Sequence, residues 1–443
     1  MRFLARLRPA VTCLAVPLGL AGLLACLSGC GSQLARGAEA RAGAAAGSGC
    51  AQTVMSTLGS VLDRVYEEGV ASERTASAVH LIEVDVPLRE AIETGDRPAA
   101  RKAAQALLKT GHMTNLDVTV AGRMLVSVGG PALAPLHGTI AGAAGDTIAS
   151  YETSVWADAG FSSEASGVAE GLVSLRAGNR SIGGTLTLPD RPLPAEGTLS
   201  VRGTVYEYTS FPGRAYPSGN LRIYLLKPLT AVEALCAANE ADTQVTTLRH
   251  VAQLIYEGEA GPRTLVQIRR VQHNTALLAA VSRRDPVATR EAVEALLHHH
   301  LVRLRVTAGG SLLADVGGPY VLAPVRADLR LHGRKIGNIV LSIQDDEGYL
   351  RLTHRLAGLD VLMYMRAPGA PSSAKPVLVK NSLGPGVGPL ETVPASGSYS
   401  YRGKDFRVFT VHAEAFPSGP LTIRVLVPQP YPATPQPASG ASR

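Results

Sequence analysis

Residues 50–230 and 231–430 carry one sequence pattern twice, and any fold for this chain must accommodate that duplication. Leu116-Asp117-Val118-Thr119 followed by Ser127-Val128-Gly129-Gly130-Pro131 returns as Leu304-Arg305-Val306-Thr307 followed by Asp315-Val316-Gly317-Gly318-Pro319, each residue 188 positions further on. Near the end of each copy an Arg-Gly pair stands fifteen residues before a Pro-Ser-Gly: Arg202-Gly203 with Pro217-Ser218-Gly219, then Arg402-Gly403 with Pro417-Ser418-Gly419. Order and spacing are therefore kept through most of the length. A period this long lies far outside the roughly 20–50 residues of solenoid and propeller repeats, so each copy is large enough to hold a core. With 46% apolar and 18% charged residues the chain has a globular composition rather than a disordered one.

The N-terminus has the grammar of export. Arg2, Arg6 and Arg8 precede an apolar stretch from Ala10 to Leu27, and Leu27-Ser28-Gly29-Cys30 follows. Residues 1–29 are thus expected to be a secretion signal. The four-residue ending resembles the bacterial lipobox, which implies that Cys30 is acylated and anchors the protein to the membrane. An uncleaved membrane helix is the alternative. Residues 30–49, rich in Gly, Ala and Ser, are expected to be a flexible tether, and residues 431–443 a disordered tail.

Removing the three arginines of residues 1–29 takes the formal charge from +7 to +4, and the remaining basic residues are scattered. That distribution does not point to nucleic acid. Two cysteines lie outside the N-terminal segment, Cys50 and Cys236, one at the start of each copy. A bridge between them and two separate thiols are both open readings, since an oxidising compartment permits a bridge and distance decides it.

Within each copy, the spacing of apolar residues changes period. Val54, Leu58, Val61, Leu62 and Val65 fall on one helical face, as do Leu248, Val251, Ala252 and Ile255, so each copy opens on a long helix. Further helices are predicted around 78–94 and 265–282, and after Asp96 and Asp285, where Pro98 and Pro286 sit harmlessly in the first turn. The period then drops to two. Hairpins are predicted around Gly122 and around Gly309-Gly310, and each copy closes on a strand at Leu221–Leu225 or Leu421–Val425. The expected fold is α+β, with long N-terminal helices packed on a curved antiparallel sheet in each of two tandem domains.

The long helix, the hairpin leaving through Gly-Gly-Pro, and the run Gly333-Arg334-Lys335-Ile336-Gly337-Asn338-Ile339-Val340-Leu341-Ser342-Ile343-Gln344-Asp345-Asp346-Glu347-Gly348-Tyr349 resemble the Cache family of PAS-like extracytoplasmic sensor domains. The resemblance implies a small-molecule ligand and a membrane signalling partner. It does not carry a ligand class, because the arginine, tryptophan and tyrosine cluster with which some Cache domains hold amino acids is not present as a run.

Candidate site residues follow that segment. Tyr349, Arg351, His354 and Arg355 are read as lying on a strand after a turn at Asp345-Asp346-Glu347-Gly348, with Tyr364 and Arg366 on the next strand. If the face bearing Tyr349 and Arg351 encloses a cavity, a guanidinium beside a phenol suits a small carboxylate; otherwise the face meets water. In the first copy Trp156, Asp158 and Arg176 occupy the analogous region. His298-His299-His300 reads as a solvated helix end rather than a zinc site, because consecutive residues point in different directions. No metal, cofactor or catalytic constellation is expected: Gly-x-Ser-x-Gly, His-Glu-x-x-His and phosphate-loop patterns do not occur. Two functions remain, a lipid-anchored small-molecule sensor and a cell-envelope scaffold without a ligand pocket.

Overall fold

The computed structural model describes residues 33–258, 261–297, 301–367, 369–417 and 419–431; of residues 33–48 it describes the backbone alone. The signal segment, Cys30, the three consecutive histidines and residues 432–443 lie outside it. The described residues from Gly47 onward form one compact unit.

The first copy begins with α1 (Gln33–Ala71), α2 (Glu73–Val84), α3 (Val86–Thr94) and α4 (Arg97–Thr110). The backbone is helical from Gln33, within the stretch expected to be a flexible tether, and the Ala, Gln, Glu and Arg there are good helix formers. Ser72, Asp85 and Asp96 cap α2, α3 and α4 through their side chains. Strands β1 (Asn115–Val120), β2 (Arg123–Gly129), β3 (Ala132–Leu133), β4 (Leu136–Ala141), β5 (Thr147–Ser154) and β6 (Trp156–Ala157) follow. After α5 (Asp158–Ala169) come β7 (Leu172–Ala177), β8 (Arg180–Gly184), β9 (Glu196–Val201), β10 (Thr204–Tyr216) and β11 (Gly219–Pro228).

A short α6 (Leu229–Glu233) leads into the second copy, which repeats the order with α7 (Glu240–Gly258), α8 (Pro262–Gln272), α9 (Thr275–Ser282) and α10 (Pro286–Leu297). Its strands are β12 (Arg303–Ala308), β13 (Ser311–Gly317), β14 (Val321–Leu322), β15 (Val325–Leu331), β16 (Arg334–Ser342) and β17 (Gln344–Asp345). Then come α11 (Asp346–Ala357), β18 (Asp360–Met365), β19 (Val377–Asn381), β20 (Gly397–Tyr401), β21 (Lys404–Phe416) and β22 (Gly419–Gln429).

The curved antiparallel β-structure of each copy is divided into two sheets among the described residues. In the first copy a four-stranded sheet has the order β2-β1-β5-β4, and a seven-stranded sheet runs β6-β3-β10-β11-β7-β8 with β9 on β10. The second copy repeats both: β13-β12-β16-β15, and β17-β14-β21-β22-β18-β19 with β20 on β21. Even the irregularities recur, because the register slips between Val118 and Thr119 and again between Val306 and Thr307. Gly129 and Gly317 show why Gly-Gly-Pro is kept. Both have positive φ, 95° and 131°, and a Cβ on either would lie 2.2 Å from the carbonyl oxygen of Thr114 or Val302.

The cores show how the copies join. Each four-stranded sheet has a core with its own helices, Leu88, Leu107, Leu116 and Val118 in the first copy and Leu277, Val293, Leu304 and Leu341 in the second. The two seven-stranded sheets instead share one core. Leu58 and Leu62 of α1, Phe161 of α5, Leu248 and Val251 of α7 and Leu356 of α11 pack together with Ile223 and Leu225 of β11 and Ile423 and Val425 of β22. The long helices of both copies are therefore sandwiched between both large sheets. Tyr431, expected in the disordered tail, is also part of this layer: it is buried and donates to the Ala357 carbonyl at 2.7 Å. Cys50 and Cys236 are joined by a disulfide with their Cα atoms 5.8 Å apart, which ties α1 to the segment before α7.

Candidate functional site

The structure does not gather the six candidate residues into one pocket. Tyr349, Arg351, His354 and Arg355 stand on α11 rather than on a strand, and Asp345-Asp346-Glu347-Gly348 is the start of that helix rather than a hairpin turn. Asp345 is the N-cap, its carboxylate accepting from the Gly348 N–H at 2.7 Å. Asp346 and Glu347 fill the first turn, His354 and Arg355 the last, and Gly358 ends the helix at φ 64°. These are helix signals, and the alternation of Tyr349, Arg351 and Thr353 with leucines concealed them. The buried set is Tyr349, Thr353, Leu356 and Ala357, which is the helical spacing.

Tyr349 is a core residue. It is fully buried, donates to the Ala252 carbonyl at 3.1 Å and meets the edge of Tyr256 at 5.9 Å. Burial pushes its phenol pKa well up. Phe161 stands 188 positions earlier and meets Tyr66 in the same way, ring centroids 6.2 Å apart. Tyr66 and Tyr256 also repeat a backbone clamp, taking the N–H of Arg214 at 2.8 Å and of Glu414 at 3.3 Å. Arg351 is exposed, His354 is 3.8 Å from the Asp360 carboxylate, and Arg355 is ion-paired with Glu68 of α1. Arg366 is half-buried, its Nη1 3.5 Å from the Pro371 carbonyl.

Tyr364 leads to a site. It lies on β18 with its side chain on the face of the large sheet turned away from the helices, and its cross-strand neighbours there are Thr422 of β22 and, beyond it, His412 of β21. Two residues along the same face, Leu362 is opposite Arg424 and Arg424 opposite Thr410. The segment between β18 and β20 folds over this face. Val393 packs on Phe406, Val408 and Leu426, and the Tyr364 hydroxyl donates to the Gly388 carbonyl at 3.1 Å. Burial raises the Tyr364 pKa to about 12, so the phenol is a neutral donor.

At the edge of this cover the face opens into a cleft of about 400 Å³, lined by Arg424, Arg249, Thr410, Thr422, His412 and Ser396 among others. Arg424 is 9% exposed. Its Nη1 donates to the Thr410 hydroxyl, which itself donates to the Ala395 carbonyl at 2.6 Å, while its buried Nε has no partner. Burial lowers the Arg424 pKa, yet a guanidinium stays charged at neutral pH. No carboxylate is among the described residues lining the cleft. A larger cleft of about 600 Å³ between α4 and β2 is lined by exposed Arg101 and Lys109 and holds no buried charge.

The first copy contains the same pair with its members exchanged. Arg176 of β7 stands where β18 has Tyr364, and Tyr224 of β11 where β22 has Arg424. Arg176 is 1% exposed and lies 5.6 Å from the centre of the Tyr224 ring. There, however, the guanidinium is committed to the covering loop. Its Nη2 donates to the carbonyls of Asn179, Pro189 (3.1 Å) and Arg191 (2.7 Å). Trp156 and Asp158 do not join it: Trp156 packs at 6.3 Å from Phe161 in the shared helical core, and Asp158 opens α5. An arginine and a tyrosine on adjacent strands under a loop are thus common to both copies, closed in the first and open in the second. Arg424 lies in the strand Leu421–Val425 expected from the spacing, but nothing along the chain marks it as a site residue.

Two successive α+β copies, each with long helices on curved antiparallel sheets, make this a tandem PAS/Cache-like architecture. No family model and no curated protein matches the chain. Among solved structures it is similar to the periplasmic domain of Vibrio cholerae LuxQ (15% identity, TM-score 0.26, 40% of this chain and 96% of that one). It is also similar to the ligand-binding domain of the Pseudomonas fluorescens chemoreceptor CtaA in complex with L-isoleucine (11%, 0.24, 40% and 95%). An extracellular ligand binding receptor from Desulfohalobium retbaense is a third (14%, 0.23, 40% and 39%). At these TM-scores the likenesses add nothing to the fold drawn from the sheets themselves.

Proposed function

We propose that this protein is an extracytoplasmic, sensor-type binding protein that holds a small carboxylate in the Arg424 cleft of its second copy. The observation that carries the proposal is the buried Arg424 guanidinium, with Nε unpaired, Arg249 also lining the cleft and no acid among the described lining residues. A buried charge without a counter-charge is costly, and a carboxylate matches the paired donors of a guanidinium. The role is binding rather than catalysis. The Cys50–Cys236 bridge supports an oxidising compartment, in agreement with the export pattern at residues 1–29. Acylation of Cys30 then holds the protein at the membrane, where a signalling protein is the natural recipient of its state.

Purified protein with its disulfide intact is expected to show a raised melting temperature with at least one member of a panel of organic acids and amino acids, because a ligand bound by the native state alone stabilises it. Arg424→Ala should weaken that binding by about 1.5–3 kcal/mol, the scale of a charge-assisted hydrogen bond. A flat response across the panel favours the scaffold reading, in which the second site is as structural as the closed Arg176 site.

The anchor has its own test. Cys30→Ala is expected to move the protein from the membrane fraction to the soluble fraction, since a diacylglyceryl cysteine supplies the two chains that stable anchoring needs. Retention of the variant in the membrane identifies an uncleaved helix instead.

A further inference from the structure

The back of the first four-stranded sheet carries buried polar groups that the Arg424 site does not use. Asn115 and Asp117 are two residues apart on β1, so they share the face opposite the α2–α4 core, where Leu116 and Val118 point. They are 0% and 4% exposed. Neither polar atom of the Asn115 amide has a partner, and one oxygen of Asp117 has none. Beside Asp117 on the same face are Ser127 of β2 and Glu152 of β5. The Tyr216 phenol from the end of β10 lies beside Asp117 and Ser127, and the Asp117 carboxylate raises its pKa. Glu152 has His137 at 4.0 Å, and among the described residues no Lys or Arg forms an ion pair with Asp117 or Glu152.

The second copy shows what belongs in that place. Arg303 and Arg305 stand at the positions of Asn115 and Asp117, Asp315 at that of Ser127, and Phe416 at that of Tyr216. Arg303 donates to Asp315 at 2.8 Å and Arg305 at 2.6 Å, and the two guanidinium carbons lie 5.1 and 4.3 Å from the Phe416 ring centre. Two cations of the chain itself thus occupy the space between a carboxylate and an aromatic ring. The first copy keeps the ring and holds two carboxylates and a carboxamide, and among its described residues only His137, beside Glu152, could bring a positive charge to them.

We infer that the first copy binds an organic cation, a guanidinium or primary ammonium compound, against Tyr216 between Asp117 and Glu152. Carboxylates supply charge-assisted acceptors, the Asn115 oxygen a neutral one, and the ring a cation–π face. The site is separate from the anion cleft and lies in the other copy.

Isothermal titration of the disulfide-bonded protein with agmatine and with L-arginine tests this. Saturable binding of at least one of them at a single site is expected. Asp117→Asn should weaken it at least tenfold, and Asp117→Arg, which installs the residue of the second copy, should abolish it while the protein still unfolds cooperatively. Glu152→Gln, at a half-exposed position, should weaken binding without disturbing the fold. Absence of saturable binding by either cation overturns the inference, as does parental affinity in both Asp117→Asn and Glu152→Gln.

Discussion

Replacing Cys50 and Cys236 together by alanine is expected to lower the unfolding free energy by about 2–5 kcal/mol. The bridge closes a loop with a sequence separation of 186, which takes in the whole first copy. Chain-entropy arguments put a loop of that size at roughly 5 kcal/mol, the upper end of the range, and native-state adjustments reduce it. The cross-link also acts where it matters for assembly. It ties α1 to the segment entering α7, and both helices contribute to the core shared by both large sheets. Equilibrium denaturation of the parent with and without reductant, beside the double variant, measures the effect. Reduced parent and variant should coincide at a lower midpoint; identical midpoints for oxidised and reduced parent would show that the bridge constrains nothing.

Tyr349→Ala is expected to cost about 3–5 kcal/mol, the usual scale for truncating a buried aromatic side chain to alanine. The ring is fully buried between α11 and α7, and its removal leaves a cavity beside Tyr256 in the layer that both copies share. Tyr349→Phe should cost only about 1 kcal/mol, the loss of the hydrogen bond to Ala252. The first copy already has phenylalanine at this place, Phe161, so the shape is tolerated. Denaturation curves of both variants, together with ligand affinity for the phenylalanine variant, separate packing from recognition. A Phe variant of parental stability that no longer binds a carboxylate would place Tyr349 at the ligand after all.

Those two residue sets mark where local pattern succeeds and where it stops. The long helices over Val54–Val65 and Leu248–Ile255 and the hairpins at Gly122 and Gly309 depend on spacing within one element, which is legible along the chain. The α11 segment was misread because Tyr349 to Thr353 satisfies a period of two as well as one of 3.6. Its capping residues, Asp345 and Gly358, carried the deciding information. The surroundings of Arg176 and Arg424 were beyond such reading. Whether a guanidinium on a strand is covered by loop carbonyls or faces an open cleft depends on a connecting loop whose path no periodicity specifies.

By itself, then, the sequence determined the duplication, the α+β order, the N-terminal helices of each copy and the Gly-Gly-Pro crossings, because each follows from backbone geometry and spacing between near neighbours. Only the tertiary structure decided that the β-structure of each copy divides into two sheets, that Cys50 meets Cys236, and that both copies close over one helical core. It also decided that the same Arg–Tyr pair is sealed in one copy and open in the other. These outcomes depend on contacts between residues far apart in the chain, such as Arg176 with Pro189 or Tyr349 with Ala252, and burial in three dimensions settles them rather than local preference.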